Sequence, residues 1–499
     1  MNNNCRFKSS YFILPVMVSV MLIQSNSSLA EDVTIQTPNG VMIGDVSDNS
    51  AILWSRANRK SKMTVELEGD LNDDKLPTVI VNENNNFTGQ IHLHGLKPDS
   101  IYRYKVIFRD LDHEHSQSEK LTGSFRTAPR NETQQNIKFA WGGDVAGQNV
   151  CRDEKKGFPV FSAINQQQWN FFIGLGDLIY ADGLCTATGR YGNPQIAGDF
   201  IKSADLYNYW AHWSYNRKDP GFQRLLANTP YLAVWDDHEV VNDFGPLHDT
   251  RSSAPYTPGE HLLPIGLKAF LDYNPVSSAT EVTPKRLYRN IRWGKHVELF
   301  LLDTRQYRDA NFMPDNQDAP KTMLGREQLT WLKEKLAASD ATWKIIVSSV
   351  PMSIPTGFPP SGGRDGWGNF DQDGGFEYEL KEILRFMQQH GIKNNVWLTT
   401  DVHFSEGFKY QPFSEHPDFN VYEFVSGPLN AGLFPNKAFD TSLGTERLFF
   451  YGAPKKLNYS QALAYFTYGA IEVADNGDMT VRIINALGDV VAEQFLPVQ

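Results

Sequence analysis

From Val33 to Pro129, apolar and polar residues change places with a period of two. SAILWSR, MTVELEG, TGQIHLHGL, IYRYKVIF and GSFRTA alternate in this way, with Asp, Asn, Gly and Pro between them. Half-buried antiparallel strands joined by turns have this pattern, so the stretch reads as all-β. From Asn136 onward the chain shows short apolar runs, then loops, then segments with apolar residues three and four apart. That is strand–loop–helix alternation, the sign of an α/β domain. GREQLTWLKEKLAA sets Leu329, Leu332 and Leu336 on one helical face. FEYELKEILRFMQQHG does the same with Phe376, Leu380, Ile383, Leu384 and Met387, and Gly391 fits its C-terminal cap. The tail, YGAIEV and then MTVRIINALGDVVAEQF, reads as antiparallel strands closing a sheet edge.

Five apolar runs end in carboxylates or a histidine. Ile137–Trp141 leads to Asp144. Phe171–Leu175 leads to GLGDLIYAD, with Asp177, Tyr180 and Asp182. Leu232–Trp235 opens onto WDDHE, with Asp236, Asp237, His238 and Glu239. Val297–Leu302 precedes Asp303 and Arg305, and Val396–Thr400 precedes Asp401 and His403. Parallel strands bring their carboxyl ends together in the crevice where α/β folds bind ligands. Acidic side chains crowded there repel one another unless a cation neutralises them. The pattern predicts a metal centre.

Length and composition narrow the setting. A chain of 499 residues with 41% hydrophobic and 12% aromatic residues predicts more than one domain and large packed cores. The net charge of −11, with no basic stripe, argues against a nucleic-acid-binding surface. Arg6 and Lys8 precede an apolar run, Tyr11–Ile23, and Ser28-Leu29-Ala30 supplies small residues for cleavage. This predicts a signal peptide over residues 1–30 and export to a periplasmic or extracellular space. A membrane anchor needs about twenty apolar residues, more than this run holds, and no later run is long enough to span. Cys5 leaves with the signal. Cys151 and Cys185 remain, and in an oxidising compartment a disulfide is their expected state. Thiolate ligation of iron or zinc is the alternative, though neither cysteine sits in a CxxC spacing.

LKPDSIYRYKV, with Leu96, Pro98, Tyr102 and Tyr104, looks like the tyrosine corner of a fibronectin type III-like sandwich. Trp54 stands where such domains keep a core tryptophan. The sandwich is expected over residues 31–130 as a support or lid, and a larger α/β domain over 131–499. His92 and His94 alternate on one strand and read as a solvated face rather than a metal pair.

Within the acidic set, Gly176-Asp177-Leu178-Ile179-Tyr180 is a GD-x-x-Y signal followed by a D-H-E cluster and a D-x-H. An aspartate at a strand end can bridge two cations, and a tyrosine three residues on reaches one of them. Phenol loses its proton near pH 10, so phenolate ligation calls for a strongly Lewis-acidic ion such as ferric iron. A packed tyrosine bonded to backbone is the competing explanation. GLGDLIYAD, WDDHE, LLDTRQYRD and TTDVHFSEG resemble the signatures of the alkaline phosphatase D (PhoD-like) phosphatase/phosphodiesterase family, calcineurin-like metallophosphoesterases related to purple acid phosphatases. AFLDYNPV and FVSGP add weaker likeness, and the resemblance covers nearly the whole chain after the signal.

The resemblance implies an α/β, α+β sandwich: a two-sheet metallophosphoesterase core flanked by helices and preceded by the β-sandwich. It also implies that Asp177 bridges two metals while Tyr180 and His403 bind iron. Asp237 and Asp401 stand where broader relatives carry Asn and His, which makes the second site all-oxygen and favours calcium over zinc. Fe3+ and Ca2+ are thus the expected cofactors, with Zn2+ or Mn2+ as alternatives. Two departures stand out. WGGDVAGQ replaces an S-C-Q stretch, so Asp144 takes the place of a thiolate, and the signal lacks paired arginines, which points to the general secretory route.

His238 is expected to act on the phosphoryl group or leaving group, unless it is a core histidine satisfied by backbone. Arg305 is the candidate phosphate clamp, with a structural Arg305–Asp303 pair as rival. Glu239 is expected to orient the imidazole or to serve as a structural carboxylate. Asp236, Asn242 and Asp243 are further oxygen donors, and Asp365 and Trp367 border either the substrate mouth or a surface turn. The expected activity is hydrolysis of small phosphoesters by water activated between the cations. A lipid- or nucleotide-directed phosphodiesterase of the same fold, or a non-catalytic surface-binding protein, are the alternatives.

Overall fold

The computed structural model describes residues 34–499 apart from 69–76, 114–115, 246–258, 281–284, 357–364, 371–372 and 436–437. The expected signal peptide lies outside the described residues. The alternating N-terminal stretch forms β1 (Val41–Gly44), β2 (Ser50–Arg56), β3 (Ser61–Glu68), β4 (Val79–Val81), β5 (Thr88–His94), β6 (Ile101–Arg109) and β7 (Leu121–Arg126). Their order is β4-β3-β6-β7 in one sheet and β1-β2-β5 in the facing one. The Tyr102 hydroxyl accepts the Lys97 N–H at 2.8 Å, as a tyrosine corner requires. Trp54 departs from expectation. It packs on the other face of β2 against Tyr273, ring centroids 5.5 Å apart, and donates to the Asp272 carbonyl at 2.7 Å. Its neighbours are the helix Gly259–Tyr273, not the sandwich interior. His92 and His94 sit half-buried and exposed on β5.

The rest of the chain supplies β8 (Ile137–Gly142), β9 (Phe171–Leu175), β10 (Tyr231–Val234), β11 (Arg289–Trp293), β12 (Val297–Leu301), β13 (Trp343–Val347) and β14 (Asn395–Thr399). It continues through β15 (Ser405–Tyr410), β16 (Val421–Val425), β17 (Thr445–Tyr451), β18 (Thr467–Val473), β19 (Met479–Asn485) and β20 (Val490–Leu496). A nine-stranded sheet runs β20-β19-β18-β8-β9-β10-β1-β2-β5, and a seven-stranded sheet runs β11-β12-β13-β14-β16-β15-β17. The tail does close an edge, through β18 on β8. The N-terminal sandwich is not walled off from the C-terminal part, because β1 pairs in parallel with β10 at Gly44 and Tyr231.

Strand residues alternate between cores. Phe171, Ile173 and Leu175 of β9 meet Ile345 and Val347 of β13 and Val396 and Leu398 of β14 between the two sheets. Phe172 faces outward under a first helical layer, and Ile346 and Trp397 face outward under a second. Wholly apolar strands follow from burial on both faces, so the period of two is invisible there. The helices Gly325–Ala338 and Glu377–Gln389 cover the seven-stranded sheet with Leu332, Leu336, Leu380, Ile383, Leu384 and Met387 buried. Leu329 is only partly buried, and Trp331 takes the inward place beside Leu332. Gly391 holds φ 62° after the second helix, the left-handed cap expected of it. Among the described residues, no helix is long and apolar enough to cross a membrane.

Candidate metal centre

Strands β8, β9 and β10 run parallel in one sheet and β14 leads into its loop from the other, so the acidic loops meet across the inter-sheet core. The backbone there is unusual. Asp144, Asp177, Asp401 and His403 have φ of 63°, 50°, 76° and 61°. Left-handed backbone costs a non-glycine residue roughly 1–2 kcal/mol, and it persists only where surroundings enforce it. Here the loops are laced together: Asp144 N–H donates to Gly176 O at 3.2 Å, Val145 N–H to Asp177 O at 2.8 Å and Asn430 N–H to Asp144 O at 3.0 Å. Gly176 itself has φ 75°, and a Cβ on it would lie 2.6 Å from Asp236 Cβ. The glycine of the GD motif is thus demanded by both torsion and space.

The ligand atoms of Asp144, Asp177 and His403 lie within 4.8 Å of one another, as do those of Asp177, Asp237 and His238, of Asp236, Asp237 and Asp401, and of Asp237, Asp243 and Asp365. Tyr180 joins the first group, its hydroxyl 2.8 Å from His403 Nε2 and 3.4 Å from Asp144 Oδ1. His403 Nδ1 contacts the Gly432 carbonyl. A proton on Nδ1 leaves Nε2 as the electron-pair donor facing Tyr180 and Asp144. Asp144, Asp177, Tyr180, Asp237, Asp401 and His403, drawn from segments far apart in the chain, all converge.

The electrostatics fit a cation. Asp177 Oδ2 and Asp401 Oδ2 are buried without a hydrogen-bond partner. Burial, then the charges of Asp237, Asp236 and Asp144, push Asp177 well above the usual carboxylate range. Burial with Asp236 and Asp237 does the same to Asp401, and burial raises Asp144 to about 7. Burial and the carboxylates of Asp177 and Asp144 hold Tyr180 well above its ordinary value, so its phenol stays protonated unless positive charge is supplied. A set of oxygens with one imidazole nitrogen suits hard or borderline cations.

His238 faces this cluster, its Nε2 4.0 Å from Asp177 Oδ2, while Nδ1 lies 2.7 Å from Asp182 Oδ1. Burial alone would lower its pKa, but Asp182 and Asp237 raise it to about 10. Asp182, not Glu239, orients this ring. Glu239 instead accepts backbone N–H groups of Asp177 at 3.2 Å, Leu178 at 2.6 Å and Asp236 at 2.8 Å, tying the GD loop to the DDHE loop. It is the structural carboxylate of the two alternatives. Asn242 contributes its backbone N–H to Asp182 Oδ2 at 3.2 Å.

Arg305 corrects the phosphate-clamp expectation. It is fully buried, and its guanidinium is spent on Asp236 at 2.6 Å, on Asp365 through two bonds of 2.7 Å and on the Phe244 carbonyl at 3.0 Å. The rival pairing with Asp303 is absent too. Asp303 accepts the Arg305 backbone N–H at 3.1 Å and the indole of Trp235 at 2.8 Å, and serves the loop rather than the ligand groups. Asp365 and Trp367 are both buried, so neither sits on a surface turn. Asp365 also binds Arg308 at 2.6 Å and Asn311 at 2.9 Å, and Trp367 packs on Trp397 with its indole on Ser348. Asp182, Asp243, Arg308 and Thr400, whose hydroxyl donates to Asp144 Oδ2 at 2.8 Å, lie in or beside the quoted motifs and carried a signal; Asn311 and Ser349, whose hydroxyl donates to Asp236 Oδ1 at 2.5 Å, lie outside them. Cys151 and Cys185 form a disulfide, so they are not thiolate ligands; the bond ties the segment after Asp144 to the one after Tyr180.

Residues 139–483 match a family model described as PhoD-like phosphatase, and residues 24–129 match the one described as its N-terminal domain. The chain belongs to the PhoD-like phosphatase family. Membership makes it a phosphoester hydrolase. Alkaline phosphatase D of Bacillus subtilis (strain 168) is 24% identical over 434 residues, covering 79% of this chain and 69% of that protein. A solved structure titled as PhoD aligns with TM-score 0.72 at 20% identity, over 93% of this chain and 90% of that one. A purple acid phosphatase isolated from yellow lupin (Lupinus luteus) seeds aligns with TM-score 0.58 at 12% identity, over 92% and 74%. Both likenesses are of fold, and the fold of this PhoD-like phosphatase is the two-sheet metallophosphoesterase core.

Proposed function

We propose that this family member is an exported phosphatase/phosphodiesterase whose converging loops hold two cations. Asp144, Asp177, Tyr180 and His403 would hold ferric iron, and Asp177, Asp237 and Asp401 would hold calcium. The observation that carries this is Asp177, whose Oδ2 is buried without a hydrogen-bond partner and whose carboxylate lies within 4.8 Å of the ligand atoms of Asp144 and His403 on one side and of Asp237 on the other. Bound there, cations supply Lewis-acid activation of water and neutralise charge on phosphoryl oxygens.

The chain's own residues do the rest. His238, charged at neutral pH through Asp182, presents Nε2 toward the cluster, where it can donate to a phosphoryl oxygen or protonate a departing alkoxide. Glu239 keeps the two loops in register so that Asp177 and Asp237 point at the same space. Arg305 does not reach for phosphate. It compensates Asp236 and so fixes the loop that carries Asp237 and His238. The disulfide suits an oxidising compartment, which supports export.

Metal analysis with a visible spectrum tests the reading. We expect a violet phenolate-to-iron band that disappears in Tyr180→Phe. We also expect Asp177→Asn, folded by circular dichroism, to lose metal and at least ~10²-fold in hydrolysis of p-nitrophenyl phosphate and its bis-ester. A colourless wild type refutes iron. Wild-type turnover by Asp177→Asn refutes the shared site.

A further inference from the structure

Beside His403 lies a hollow of about 340 Å³ that none of the roles above uses. Tyr191, Leu433, Phe434 and Leu457 wall it, and the exposed cations Arg190 and Lys455 line it. It adjoins the centre directly. Phe434 stacks on the His403 ring with centroids 4.3 Å apart, and the preceding Gly432 carbonyl meets His403 Nδ1. The walls are braced as well. The Tyr191 hydroxyl accepts the Leu433 N–H at 2.8 Å, and Arg190 N–H donates to Asn149 O at 2.9 Å. Asn149 in turn is bonded to Thr186, next to the disulfide's Cys185. Among the described residues, neither Arg190 nor Lys455 is in an ion pair with a carboxylate.

We propose that this hollow is the subsite for the organic arm of the phosphoester, and that it selects arms that are flat and apolar next to phosphorus and anionic at the far end. The inference rests on the phosphoesterase reading and deepens it. The phosphoryl group engages the acidic cluster, where His403 and Asp177 stand. An aryl arm leaving that point past Phe434 exchanges water for the faces of Tyr191, Leu433 and Leu457, which favours it through apolar burial. A carboxylate or second phosphate on that arm then meets Arg190 and Lys455. A short polyol arm has neither reward.

The test compares 4-carboxyphenyl phosphate, phenyl phosphate and 2-glycerol phosphate as substrates of the metal-loaded enzyme. We expect kcat/KM to fall in that order. We expect Arg190→Gln combined with Lys455→Gln to cut the first by roughly fivefold to tenfold while leaving the other two within twofold. Both residues are exposed, so folding is not at stake. Calorimetric binding of 4-carboxyphenylphosphonate and methylphosphonate is measured in parallel. Selective binding of the first, lost in the double variant, would support the subsite even with no turnover, a result that would instead strike the hydrolase reading. An equal fall for all three substrates, an unchanged ratio in the variant, or better use of 2-glycerol phosphate would overturn the proposal.

Discussion

Asp365 and Asp177 are equally hidden carboxylates, at 1% and 2% exposure, in adjoining parts of one acidic region. Burial pushes both toward the neutral form, yet they end at opposite extremes. Arg305 and Arg308 lie against Asp365 and hold its carboxyl well below the ordinary range. Among the described residues no guanidinium pairs with Asp177; the His238 imidazole stands off at 4.0 Å, and burial with Asp237, Asp236 and Asp144 drives the carboxyl upward. Asp236 lies between the two cases at about 6: burial raises it while Arg305 pulls back. The two halves teach that this sequence supplies its own guanidinium where a charge is structural. Where it withholds one, the missing positive charge is left for an ion from solution.

The comparison can be broken from either side. The largest effect is expected on the self-compensated half. Arg305→Met leaves Asp236 and Asp365 buried with an unmatched charge, so denaturant unfolding should show a loss of about 3–5 kcal/mol. A loss below about 1 kcal/mol would mean the network is dispensable. On the uncompensated half, the folded pKa of Asp144, about 7, exceeds its unfolded value. A raised acid binds more protons folded than unfolded, so its contribution is present at low pH and is lost as pH rises from near 4 toward 7. Chelator-treated protein should therefore lose roughly 3 kcal/mol over that window. Asp144→Asn should lessen the slope, the raised carboxyls of Asp177 and Asp401 keeping the remainder, and restoring metal should reverse it. A flat profile in the metal-free wild type would contradict the reading. The smallest effect concerns the carboxylate that orients His238, where Asp182→Asn should leave stability within about 1 kcal/mol but lower kcat roughly tenfold. The alkaline limb of its pH profile should shift to lower pH as His238 loses the carboxylate that raises it, a change that a merely structural role for Asp182 would not produce.

Much of this was legible in the chain. Strand ends bearing Asp144, Asp177, Asp237, Asp401 and His403 could be read because parallel sheets gather such ends by geometry alone. The two long helices were readable from their apolar faces, and the tail strands from their alternation. Arg305 misled because its planar fork suits phosphate and carboxylate equally, and its true partner Asp365 is 60 residues away behind a loop without local pattern. Trp54 misled because a two-sided sheet buries both faces, so burial does not say which. Glu239 could be narrowed to two roles but not decided, since backbone N–H acceptors leave no trace in residue types.

Parallel pairing of β1 with β10 has its own corollary. Strand β10 ends at Val234, just ahead of Asp236 and Asp237, and its outer neighbour is contributed by the N-terminal sandwich, pinned further by the buried Asp45–Arg289 ion pair at 2.6 Å. Removing residues up to 130 would accordingly strip β1 from β10 and bare a sticky hydrogen-bonding rim. The small sandwich behaves as masonry, so grafting it away in search of a minimal enzyme is a poor engineering route.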